Sequence, residues 1–327
     1  MRIWALAMLG AALAAACIAS LAVGDQTVAL GEVLGALAGD PETPQVSRVI
    51  VLDLRLPRVV LAALVGAALG LAGTLTQAIM RNPLAEPGAL GINAGAALAA
   101  MVVIVRADAL PESLLPVFAF AGALAMSATI YVLSWRAGTT SLRIILIGIG
   151  LGALAGAGAS FISVFGPVAE VQRAMVWLAG SLNDARWVKV QWLVLWGLPA
   201  LALALVLVRD LNLIALGDTV ARGLGQRVDA VRGLAILCAA MLAGASVAAA
   251  GPISFVGLVA PHVARRIVGR HHAVLLPTSA LCGALLVVLA DLAARRVMAP
   301  AQVPVGLAAA LIGAPFFGYI LWKTRHE

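Results

Sequence analysis

The chain has 327 residues, of which 63% are hydrophobic and 11% charged, with a mean hydropathy of +1.05 and a formal net charge of +7. A water-soluble domain of this length needs far more charge to cover its surface, so that class is excluded. Aromatics make up only 5% while glycines number 33. Small residues let transmembrane helices approach closely, and the composition predicts an all-α, tightly packed polytopic membrane protein.

A run of about 17–25 apolar residues crosses a bilayer, and about ten such runs follow one another along the chain. They lie near 3–23, 59–80, 89–105, 114–135, 144–165, 191–208, 233–250, 251–268, 274–293 and 304–322. The first follows Arg2 and imitates a signal peptide, and the segment ending at Cys17 faintly resembles a lipoprotein cleavage site. It lacks the usual leucine three residues before the cysteine and is long enough to span, so it is read as the first transmembrane helix. The eighth run is short and carries Pro252 and Pro261, which predicts a broken helix.

With the N-terminus inside, thirteen of the 22 Lys and Arg residues fall on the inner side, among them Arg136 and Arg325. The other nine fall outside: Arg48, Arg55, Arg58, Arg106, Arg173, Arg186, Lys189, Arg295 and Arg296. The sign of the bias predicts two cytoplasmic termini. Basic outer loops work against the insertion rule, so these residues bind an acidic partner, contact lipid headgroups or form an internal salt bridge.

One constant offset aligns Leu64/Leu242, Gly66/Gly244, Ala67/Ala245, Ala72/Ala250, Gly73/Gly251 and Pro83/Pro261. The segments lie an odd number of spans apart, which predicts a weak inverted repeat, a pattern common in transporters. The fifth span places Gly148, Gly152 and Gly156 four residues apart on one helix face. Such spacing permits close helix contact or a smooth pathway wall.

Between the sixth and seventh spans, the polar stretch 209–232 is read as a cytoplasmic loop. Leu213, Leu216, Val220 and Leu224 recur there at helical spacing, which predicts one short amphipathic helix, able to dock in a partner's groove or to lie on the membrane. Gly217 and Gly225 permit turns on either side.

Chemistry-bearing patterns are absent. No phosphate-binding loop is present, so any ATP must be hydrolysed by another chain. The histidines (His262, His271, His272, His326) and cysteines (Cys17, Cys238, Cys282) lack metal-ligand or redox spacing. Carboxylates are scarce in the spans: Asp291 lies toward one end of the ninth, and Glu86 and Asp210 fall in loops. That argues against an ion-coupled secondary carrier, which needs a titratable group in the membrane, and against an intramembrane hydrolase.

Six blocks, in order, resemble the FecCD-type permease family: Arg55–Ala96, Trp177–Trp187, Leu213–Gly225, Gly251–Gly269, Leu275–Arg295 and Val303–Leu321. The resemblance implies one transmembrane permease domain over 1–327, with ten helices, working as a dimer in the bacterial inner membrane. It implies a non-enzymatic subunit that binds no cofactor, metal or nucleic acid. Two separate ATP-binding subunits use the ATP, a periplasmic binding protein delivers the cargo, and a second permease copy or paralogue completes the pathway. By the same resemblance Arg55, Arg58 and Arg295 receive acidic residues of the binding protein. Leu216, Gly217, Asp218, Ala221, Arg222 and Gly225 belong to the ATPase-coupling loop, and Gly148, Gly152 and Gly156 line the pathway. The blocks Gly91–Ala96 and Trp177–Asn183 look more like those of siderophore permeases than of cobalamin permeases. An iron-siderophore cargo is therefore expected, with haem or cobalamin as the alternative.

Overall fold

The computed structural model describes residues 2–24, 26–106, 111–135, 138–297 and 302–324. Arg136 and Arg325, counted above among the inner charges, lie outside them. Backbone amides and carbonyls in lipid must find partners within the chain, and helices do this within a single segment. Accordingly the regular elements among the described residues are all helices.

The chain opens with α1 (Arg2–Ala22), followed by the short α2 (Leu30–Ala38). The third helix, α3 (Gln45–Arg48), continues through a π-helical turn, Val49–Arg55, into α4 (Leu56–Met80). The apolar run predicts a span from residue 59, but the rod starts at Gln45. Pro57 accounts for the wide turn: its ring has no N–H and would collide with the carbonyl one turn back in a regular helix.

A 3₁₀ turn, Pro87–Leu90, leads into α5 (Ile92–Arg106). Then come α6 (Leu115–Ser134), α7 (Ser141–Phe165), α8 (Val168–Leu178) and α9 (Trp187–Val206). The apolar runs did not predict α8, because its polar residues Glu170, Gln172 and Arg173 interrupt the hydrophobic pattern. Two short helices, α10 (Val208–Ile214) and α11 (Asp218–Gly223), precede α12 (Val228–Ala250), α13 (Val256–Val268), α14 (His272–Val297) and α15 (Val305–Thr324).

Among the described residues, seven helical stretches are long and apolar enough to cross a membrane: α1, the α3–α4 rod, α6, α7, α9, α12 and α14. Of the other three expected spans, α5 and α15 are shorter apolar helices. The third, α13, has 13 residues, about 20 Å of helix against the roughly 30 Å of a hydrocarbon core. The expected break falls at Gly251–Phe255, which is not helical.

Helices α4 and α12 bury most of their length and form the centre. The first packs on α14, α12 and α13, and the second on α4, α6 and α9. Small residues set these distances. Gly66 lies against the backbone of Gly283, Gly70 against the carbonyl of Ser279, and Gly73 against Gly257. On the other half Gly244 faces Ala123 and Phe120 of α6. Thus α4 meets α14 as α12 meets α6, two pairs related by the five-span offset of the aligned glycines.

Two irregular segments meet inside this frame. Pro87 abuts Gly257, and Glu86 accepts a hydrogen bond from the backbone N–H of Phe255, the residue that opens α13. Phe255 has φ +67, the left-handed region that non-glycine residues seldom adopt. Irregular backbone at this depth is tolerated because protein, not lipid, surrounds it.

Candidate functional site: two helix ends and an open face

At one end of the bundle the N-terminus of α4 and the C-termini of α1 and α14 converge. Arg58 is 8% exposed and donates from Nε and Nη2 to both carboxylate oxygens of Asp291, at 2.8–3.1 Å. It also donates to Gln302 at 2.7 Å and to Asn183 at 3.1 Å. On the other side of Asp291, itself 1% exposed, stands Arg295, with Nε 3.1 Å from Oδ2.

The remaining donors of Arg295 reach the Ser20 hydroxyl and the carbonyls of Ser20 and Val23. Arg55 donates to the carbonyls of Leu21, Ala22 and Gln26. Two guanidinium groups therefore satisfy carbonyls that the end of α1 leaves without helical partners. Arg58 and Arg295 share the carboxylate of Asp291, and Arg295 and Arg55 both bind the end of α1, so the three arginines tie α1, α4 and α14 together at this end.

The residues alone leave these arginines an acidic partner, lipid headgroups or an internal salt bridge, and the family resemblance gives them the partner. The structure turns them inward, because in a low-dielectric end-region each cation is stabilised by internal acceptors. Asn183, Gln302 and Ser20 were missed: polar residues scattered through loops and one apolar span carry no local pattern.

Beside this cluster lies a cavity of about 890 Å³, bounded by Val103, Leu115, Arg173, Trp177, Asn183 and Lys189. Exposed charges beside the cavity include Arg186 and Asp184, paired at 2.8 Å, with the half-buried Lys189 at 3.4 Å from the same carboxylate, and Arg173, paired with Glu170 at 3.1 Å.

The three glycines of α7 divide. A side chain at Gly148 would collide with the carbonyl of Ala89, whereas Gly152 meets only the Ala94 methyl at 4.0 Å and Gly156 meets nothing within 4 Å. Gly152 and Gly156 thus belong to a broad uncovered apolar face with Ile149, Leu154 and Phe161. Gly148→Leu should lower the melting midpoint in detergent. Gly152→Leu should leave the midpoint within error of the parent and act only on transport, which a paired melting and uptake assay separates.

At the opposite end α10 and α11 project. The expected single amphipathic helix is two helices, broken at Gly217, whose φ of +111 only glycine adopts readily. Gly225, at φ +82, closes the second. Leu216, Val220 and Leu224 are 61%, 49% and 63% exposed and form an apolar knob, whereas Ala221 is buried. Asp218 and Arg222 turn back to the bundle, pairing with Arg232 at 2.9 Å and Asp229 at 3.2 Å. Among the described residues no group of three or more metal-ligating side chains is present.

The description "FecCD transport family" belongs to a sequence family that matches residues 12–323. The iron(3+)-hydroxamate import system permease protein FhuG of Bacillus subtilis is 42% identical over 283 residues, 84% of each chain. The achromobactin transport system permease protein CbrC of Dickeya dadantii is 41% identical over 310 residues, 94% of this chain and 88% of that one. The hemin transport system permease protein HmuU of Yersinia pestis is 42% identical over 281 residues, 84% of each. A solved metal-chelate type ABC transporter, in an inward-facing conformation, superposes with a TM-score of 0.88 at 30% identity, covering 97% of this chain and 98% of that one.

Proposed function

The chain belongs to the FecCD transport family, and we propose from that membership that it is the membrane-spanning permease subunit of an ATP-driven importer, carrying a ferric siderophore across the bacterial inner membrane. The observation that carries this reading is similarity over most of the chain to permeases of iron-chelate import, joined to a fold with an apolar docking knob at one end. Relatives named for a hydroxamate and for hemin are equally distant, at 42% identity. Haem is therefore the second reading.

In this reading the chain is multi-pass, with about ten membrane-crossing segments and both termini in the cytoplasm; α5, α13 and α15 complete the crossing with the irregular backbone next to them. The offset pairs α4–α14 and α12–α6 support an inverted repeat. The Arg55 end is then periplasmic and the α11 end cytoplasmic. A second permease copy covers the open face of α7, and Gly152 and Gly156 line a passage with few charges in which a polar chelate finds no deep site to stall. Gly148 serves that helix by packing.

The ATP is bound and hydrolysed by two partner subunits that grip the knob around Leu216, Gly217, Asp218, Ala221, Arg222 and Gly225. A periplasmic binding protein docks at the other end. Arg55, Arg58 and Arg295 support that docking by holding the rim of α1, residue 183 and residue 302 in place.

Truncation of buried apolar anchors costs about 2 kcal/mol or more at an interface. Leu216→Asp with Leu224→Asp should therefore reduce co-purification of the ATPase by about tenfold or more without changing the melting midpoint. Normal co-purification would remove the knob from the interface.

The function itself is tested in cells lacking this gene, with radio-iron on a panel of siderophores, and haem and cobalamin supplied separately, each with and without ATP depletion. Loss of one ferric chelate's ATP-dependent uptake is the expected result. Loss of haem uptake alone would establish the second reading, and uptake surviving ATP depletion would refute ATP-driven import.

A further inference from the structure

Arg232 heads the fully buried side chains of the bundle, at 1% exposure, yet it stands in the first turns of α12 beside an exposed loop. Its Nη2 grips both carboxylate oxygens of Asp218, the first residue of α11, at 3.1 and 2.9 Å. Its Nη1 donates to the carbonyl and hydroxyl of Thr139, at 2.7 and 3.1 Å. Asp229, three residues earlier, makes the same bridge with the opposite sign. It pairs with Arg222 of α11 at 3.2 Å and accepts from the N–H and the hydroxyl of Thr139, at 3.0 and 3.1 Å.

Both residues thus join α11 to one position, and that position adjoins α7. Thr140 is the N-cap of α7, its side chain accepting from the Arg143 N–H. Arg143 in turn donates to the carbonyls of Ser134 and Gly138, binding the preceding loop to the first turn of α7. Elsewhere α7 touches the bundle chiefly through α5 and α6. A planar guanidinium with bidentate contacts fixes direction as well as distance, and burial keeps water from competing.

We propose that Arg232 is a positioning residue that transmits displacement of α11 to the N-terminus of α7. The inference rests on the reading of α11 as the ATPase-docking helix and α7 as a pathway helix. The two carboxylates and Thr139 hold the guanidinium on two sides, so α11 cannot shift without drawing on the 138–140 segment. A lysine in its place would lack the second donor plane and transmit less.

The test uses the permease purified with its own ATPase and follows amide hydrogen exchange, with and without trapping by ATP and vanadate. In the parent complex, trapping should alter exchange both in 213–225 and in 138–148. In Arg232→Met the response in 213–225 should persist and that in 138–148 should fall well below the parent's, the Asp229 bridge alone remaining. If that variant yields no intact complex, Thr139→Val removes the hydroxyl that accepts from Arg232 and donates to Asp229, and the response in 138–148 should weaken while that in 213–225 persists.

A variant in which both segments respond as in the parent overturns the inference. So does a parent in which 213–225 responds and 138–148 stays silent, and then the docking reading survives. A parent with no response in 213–225 overturns the docking reading, and the linkage falls with it. A merely structural role for Arg232 would diminish both responses together.

Discussion

Asp291→Ala lowers the unfolding free energy in detergent by about 3–5 kcal/mol, the range observed when one partner of a buried pair is removed. The carboxylate is 1% exposed and is held by Arg58 on one side and Arg295 on the other. Without it the ion pairs of Arg58 and of Arg295 with this carboxylate are both lost, at guanidinium groups that are only 8% and 6% exposed. Total stabilities of about 5–15 kcal/mol leave little margin for such a loss, so the yield of folded protein should fall as well. Asp291→Asn keeps the shape and one acceptor but removes the charge, and should fall between the two. Thermal unfolding of the three proteins in one detergent measures the order. A midpoint for Asp291→Ala equal to the parent's would mean that water reaches the pair and screens it.

Gly73→Val should be about as damaging, for a steric reason. A Cβ at Gly73 would overlap the Gly257 carbonyl, and that atom belongs to the helix backbone, which cannot swing aside as a side chain can. The α4–α13 contact must therefore open along its length. Overpacking costs typically about 1–3 kcal/mol and more where backbone must move, so a loss of about 3 kcal/mol or more is expected. Because α13 carries the irregular Gly251–Phe255 segment at its start, separation would also disturb the Phe255 N–H bond to Glu86. Gly156→Val is the control: nothing lies within 4 Å of its Cβ position, and its midpoint should match the parent's. Equal midpoints for Gly73→Val and Gly156→Val would show that α4 and α13 do not stay in contact in solution.

Sequence alone was enough for the membrane-embedded, all-helical character and for most helix positions. The reason is physical: a segment in lipid must be apolar over its whole length, and that signal is local and strong. The ordered blocks likewise gave the family, which the match over residues 12–323 bears out. Composition also excluded a soluble fold.

Tertiary structure decided what is not local. Arg58 and Asp291 are 233 positions apart, and neither their identity nor their spacing announces that they meet. Only the packing of α4 on α14 brings them together. Gly148 and Gly156 repeat at one spacing on one helix, yet the first is closed by the Ala89 carbonyl and the second is open. The leucine pattern of 213–224 predicted one helix, whereas the left-handed backbone at Gly217 breaks it in two and turns Leu216, Val220 and Leu224 outward. Periodicity tells which residues share a face. What that face meets, and so whether an arginine is a docking group or an internal clamp, depends on which distant helix packs against it.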